Sequence, residues 1–150
     1  MTFQVLYFAG TRIALPQDMD RSVPNEPILV VDDDPICCRA IAEVLERDGY
    51  RVESTTDPIA ALWRTLKRKY ALLVTDLAMP GLAGTRLLTE VRRANPGMPG
   101  ILVSGFPDRR ALADAEELAV PLLTKPFSPD DFLEAVRTQL HACVATGLTQ

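Results

Sequence analysis

Five times along this chain a short apolar run gives way to an amphipathic helical pattern. That alternation constrains the fold more than any other feature. The run at 28–31 (Ile28-Leu29-Val30-Val31) is apolar at every position, the pattern of a strand buried on both faces. Further strand-like runs lie at 51–55, 71–75, 101–103 and 121–124. Strands alternating with helices predict an α/β fold with a parallel sheet. Five strands are too few for a closed eight-stranded barrel. An open doubly wound sheet remains, with ligands expected outside the carboxyl ends of its strands, at the switch point.

The helix starts carry their own signals. Asp34-Pro35 and Asp57-Pro58 each place a capping acid before a proline at the first helical position, and Ser128-Pro129-Asp130-Asp131 reads as a capping box. Helices are expected from 35 to about 48, with Gly49 just past the end, from 58 to about 68, and over 85–94. Two more run from 108 to about 119 and from 129 to about 144. Trp63 reads as a packing residue of the second helix. Asn95-Pro96-Gly97 stops the third.

Composition removes several function classes. The chain has 150 residues, 47% hydrophobic and 24% charged, with a net charge of −4. That balance gives no support to a nucleic-acid surface. Arg92-Arg93 and Arg109-Arg110 are pairs, read as solvated helix residues. No apolar run approaches the roughly 20 residues that span a bilayer, and residues 1–10 lack the basic start of a secretory signal. A cytoplasmic protein without membrane insertion is expected. Cys37, Cys38 and Cys143 have no C-x-x-C spacing and read as reduced thiols. His141 is the only histidine and reads as a surface residue near a helix end. The glycine-rich loop of a dinucleotide site is missing after the first strand.

Chemistry gathers where the runs end. The first leads into Asp32-Asp33-Asp34, the third into Asp76, the fourth into Ser104 and the fifth into Lys125-Pro126. In a parallel sheet these ends share one rim. Carboxylates held close need a cation, so the rim reads as a divalent-metal site. Asp33 and Asp76 can bind Mg2+ with a backbone carbonyl and waters. Asp76 can serve as nucleophile for a phosphoryl group, with Lys125 and Ser104 on its oxygens.

These motifs resemble the receiver domain of bacterial two-component response regulators. The resemblance rests on Leu29-Val30-Val31-Asp32-Asp33-Asp34, on Thr75-Asp76-Leu77-Ala78-Met79-Pro80-Gly81 with Gly84, on Val103-Ser104-Gly105 and on Lys125-Pro126-Phe127. It implies a flavodoxin-like sheet of order 2-1-3-4-5 with five helices. Asp76 would be the phospho-acceptor. Asp33 would bind Mg2+ directly, Asp32 largely through water, and Ala78 through its carbonyl. Ser104 would be the switch hydroxyl and Lys125 a phosphate contact, with a cis bond to Pro126. The donor would be a sensor histidine kinase or a histidine phosphotransfer protein. Asp34 reads as a helix cap only.

Three positions depart from the family pattern. Leu122 stands where many receivers carry an aromatic residue that rotates on activation, so a different or weaker readout is expected. Ala78 and Phe106 stand where side chains orient the water that hydrolyses the acyl phosphate, so slow self-dephosphorylation is expected. The receiver is placed at 28–144, with residues 1–27 an N-terminal extension and linker and 145–150 a tail. Within the extension, 2–8 has strand-like composition, read either as part of a mobile extension or as a strand pairing with a sheet edge. With no DNA-binding or enzyme module expected after the last helix, a single-domain regulator is anticipated. It would be a monomer or homodimer, signalling through contact with a downstream protein and not acting as an enzyme. Three alternatives stay open: a phosphorylation-independent interaction module, a receiver detached from a hybrid histidine kinase, and a phosphatase-like hydrolase. The last would want a second acid at the Ala78 position.

Overall fold

Strand β3 (Ile28–Val31) is buried at all four positions, and its side chains go to two different cores. Ile28 and Val30 join one cluster while Leu29 and Val31 join the other, as the two-residue period of a strand requires. The computed structural model describes residues 7–8, 11–12 and 23–147, with side chains for 23–142. After β3 the elements are α1 (Pro35–Arg47), β4 (Val52–Thr55), α2 (Pro58–Lys67), β5 (Leu72–Asp76) and α3 (Gly84–Ala94). They continue with β6 (Gly100–Ser104), α4 (Arg109–Leu118), β7 (Leu122–Thr124) and α5 (Pro129–Gly147). Ahead of them, β1 (Tyr7–Phe8) and β2 (Thr11–Arg12) pair antiparallel in a separate two-stranded ribbon.

The main sheet has the order β4-β3-β5-β6-β7, and every pair in it is parallel. Numbered within this sheet, the order is 2-1-3-4-5, the doubly wound arrangement expected. One face carries α1 and α5, whose Ile41, Leu45, Phe132 and Val136 pack on Val30, Val74 and Val103. The other carries α2, α3 and α4, with Ala61, Leu87, Leu88, Val91 and Ala115 against Leu29, Leu73 and Leu102.

The caps form as the sequence predicts. Asp34 accepts from the Ile36 N–H and Asp57 from the Ile59 N–H, both at 2.9 Å, and each precedes a proline at the helix start. Ser128 accepts from the Asp131 N–H at 3.1 Å. Gly49, just past α1, has φ +95°, a conformation that glycine adopts without a Cβ penalty.

Several expectations need correction. Trp63 is 59% exposed, so it is not a core residue; Ala61 fills the inward position on α2. Arg92 is not a solvated surface residue. Its guanidinium donates to the carbonyls of Met98 and Leu118, tying α3 to the loop before β6 and to the end of α4. The last helix continues to Gly147, three residues past the expected end. The strand expected over 2–8 lies mostly outside the described residues, and its described part, Tyr7–Phe8, pairs with Thr11–Arg12 rather than with the main sheet. Cys38 is buried and Cys37 partly so, and neither forms a disulfide; the Cys143 side chain lies outside the described residues.

The contrast between Phe132 and Trp63 is testable. Phe132 is fully buried, so Phe132→Ala is expected to cost about 3–5 kcal/mol. Trp63→Ala should cost less than about 1 kcal/mol. Urea unfolding followed by circular dichroism measures both.

Candidate functional site: an acidic rim with one lysine

Strand register assembles the rim. Val31 pairs with Thr75, so Asp32 and Asp76 follow side by side at the carboxyl ends of β3 and β5. These neighbouring strands lead in opposite directions across the sheet, which makes this the switch point. Asp76 in turn pairs with Val103, placing Ser104 one step on. Ser104 pairs with Thr124, and the next residue is Lys125, whose N–H donates to the Ser104 carbonyl at 2.8 Å.

Asp32, Asp33 and Asp76 each bring an oxygen within 4.8 Å of the others. Asp32 is 1% exposed and Asp76 9%, whereas Asp33 is open to solvent. The Lys125 ammonium lies 2.8 Å from Asp32 Oδ2 and 3.7 Å from Asp76 Oδ2. Asp32 Oδ1 also accepts from the Asp34 N–H at 3.0 Å. The bond between Lys125 and Pro126 is cis, as the resemblance implied.

The charges act on one another. Burial pushes the Asp76 carboxyl above its ordinary range; Lys125 opposes this, and the charges of Asp32 and Asp33 add to it. Burial alone would lower the Lys125 ammonium. Its hydrogen bond to Asp32 and the charges of Asp32 and Asp76 outweigh that and raise it. One ammonium among three carboxylates leaves an excess of negative charge on an all-oxygen donor set. That is the chemistry of a hard divalent cation, and the pocket fits Mg2+.

Ser104 is buried, and its Oγ accepts from the Phe106 N–H at 3.2 Å. Ala78 is exposed in the loop after β5, two residues beyond Asp76. Phe106 projects outward, 96% exposed. Leu122 is buried in the cluster under α3 and α4.

Two features escaped the sequence reading. Lys125 is paired with Asp32, not only with the acceptor position. Gly84 opens α3 against the Asp76 backbone. A Cβ there would fall 2.1 Å from the Asp76 carbonyl oxygen. The Gly84 N–H also donates to the Leu77 carbonyl at 2.9 Å. A glycine at the start of a helix whose capping residue, Ala83, makes no side-chain cap was the available signal.

Residues 28–137 match the profile of the response regulator receiver domain. The chain belongs to the receiver domain family. Among curated relatives, the transcriptional regulatory protein FixJ of Azorhizobium caulinodans is 33% identical over 122 residues, covering 81% of this chain and 58% of FixJ. The uncharacterised regulator YbdJ of Bacillus subtilis is 28% identical, with 76% and 50% covered. The chain thus spans about half the length of these relatives. Among solved structures, a CheY-like receiver from Methanospirillum hungatei superposes with a TM-score of 0.76 at 27% identity, covering 81% of this chain and 98% of that one. A Clostridium thermocellum receiver gives 0.74 at 26%, covering 83% and 99%. Receivers are regulatory domains rather than classical enzymes. No helix among the described residues is long and apolar enough to cross a membrane.

The contact at Gly84 yields a prediction. Gly84→Ala must push α3 away from Asp76 and spread the acids. Mg2+ affinity, measured by calorimetric titration, is expected to fall about tenfold or more.

Proposed function

We propose that this receiver takes a phosphoryl group from a phosphohistidine onto Asp76, and that Ser104 and Lys125 read the change. The donor would be a sensor histidine kinase or a histidine phosphotransfer protein. The observation that carries this reading is the Lys125 ammonium, held between Asp32 and Asp76 at 2.8 and 3.7 Å, beside three converging carboxylates. In the transfer, an Asp76 carboxylate oxygen forms the new O–P bond as the N–P bond breaks. The imidazole departs with the electron pair and regains a proton.

Each residue has a role that its position suits. Asp33, Asp76 and the Ala78 carbonyl would hold Mg2+, with Asp32 assisting largely through water. When bound, the ion neutralises phosphoryl oxygens and lowers the repulsion that Asp76 meets as nucleophile. Lys125 supplies a fixed positive charge to one phosphoryl oxygen, and its pairing with Asp32 keeps it extended over the rim. The Ser104 hydroxyl donates to another oxygen. Because Oγ accepts from the Phe106 N–H, any movement of Ser104 carries the loop before α4 with it. Output then passes to a downstream protein by contact, as a shift between two conformations.

Incubation with Mg2+ and acetyl phosphate is expected to add one phosphoryl mass, lost in Asp76→Asn and on addition of EDTA. A mass gain that persists in Asp76→Asn would sink the assignment. Lifetime is a separate expectation. Ala78 and Phe106 carry no group that can orient an attacking water, so the acyl phosphate should persist. Ala78→Asn is expected to speed phosphate loss, followed by timed mass spectrometry; equally fast decay in both proteins counts against this.

A further inference from the structure

One helix is apolar on the outside as well as the inside. On α2, Ile59, Trp63 and Leu66 are 46%, 59% and 52% exposed. Their spacing of four and then three residues puts them on one stripe of the helix. Core packing on α2 falls to Ala61 and to the partly buried Leu62, so the stripe is surplus to the fold.

The charge carried by the helix segment itself is one-sided. Residues 58–69 contain Arg64, Lys67, Arg68 and Lys69 and no acid. The segment carries +4 in a chain of −4, so the remainder carries −4 − 4 = −8. The stripe also runs into a cavity of about 800 Å³, whose charged lining is mostly basic: Lys67, Arg68, Lys69 and Arg137 against the single acid Glu26. Arg68 is engaged with Glu53, and Arg137 with Asp48. No ion pair among the described residues uses Lys67 or Lys69.

We infer that the α2 face is a docking surface for an acidic amphipathic helix of a partner protein. The apolar face of that helix covers Ile59, Trp63 and Leu66, and its carboxylates meet Lys67 and Lys69 at the cavity edge. Charge selects this occupant. A second copy of α2 would set four basic residues against four. A broad anionic bilayer would also meet the net-negative remainder of the chain, whereas a single helix laid along α2 need not. The surface contains none of the residues placed around Asp76, so it stands apart from the phosphoryl chemistry.

Trp63 is the only tryptophan in the chain, so its fluorescence reports on this face alone. The probe is a peptide of about 15 residues, near the minimum length for an isolated helix in water, with leucine on one face and glutamate on the other. Its partner probe carries lysine in place of glutamate. With the full chain, the glutamate peptide is expected to shift Trp63 emission to the blue and to saturate. It should bind about tenfold more tightly than the lysine peptide. Lys67→Glu with Lys69→Glu should reverse that preference, and Leu66→Lys, at an exposed position, should abolish the shift in a folded protein. The proposal is overturned by the absence of a shift, by equal responses to both peptides, or by a response only to phosphatidylglycerol vesicles. Self-association in sedimentation that Leu66→Lys removes overturns it too, since the occupant would be a second copy.

Discussion

The parallel direction of all five main-sheet strands is the constraint on which the rest depends. It forces each connection to cross back over the sheet, and α1 to α4 are those crossings. It buries the central strands on both faces, which is why β3, β5 and β6 carry almost nothing but aliphatic side chains before their ends. It also sends every strand end to the same rim. Polar residues excluded from the strands therefore collect in one place, and chemistry at the ends of β3, β5, β6 and β7 becomes a single site.

Collecting charge this way has a cost that the site's own residues offset only in part. Asp32 and Asp76 are largely withdrawn from water beside the exposed Asp33, and burial together with the neighbouring carboxylates raises the proton affinity of Asp76. The lysine from the far edge strand offsets part of this by reaching Asp32. The excess negative charge that remains suits a divalent cation. An added cation, or the phosphoryl group proposed for Asp76, would change this finely opposed set of charges.

Much of this was legible in the sequence because the signals were local. The run Ile28-Leu29-Val30-Val31 announces a doubly buried strand, and Asp34-Pro35 and Asp57-Pro58 announce helix starts, without knowledge of any distant contact. The convergence of Asp32, Asp76, Ser104 and Lys125 followed from strand direction alone. What the sequence hid depends on distances between segments. The pairing of Lys125 with Asp32 joins residues 93 positions apart. The closeness of Gly84 to the Asp76 carbonyl is set by the path of the loop between them. Trp63 misled for the same reason: an aromatic on an amphipathic helix reads as core until the structure shows that small Ala61 occupies the inward position.

The buried leucine on β7 bears on how a signal leaves the rim. An aromatic side chain at that place could change rotamer between an inner and an outer position. Leu122 is instead packed in the aliphatic cluster beneath α3 and α4, and outward movement would expose apolar surface and leave a void. The coupling that the structure does offer is through backbone. Ser104 Oγ holds the Phe106 N–H, and Asp108 caps α4 by accepting from the Ala111 N–H at 2.8 Å. A displacement of Ser104 would be passed along four residues of chain to the start of α4. On the proposed reading, α4 would respond as a unit and its exposed residues would carry the change.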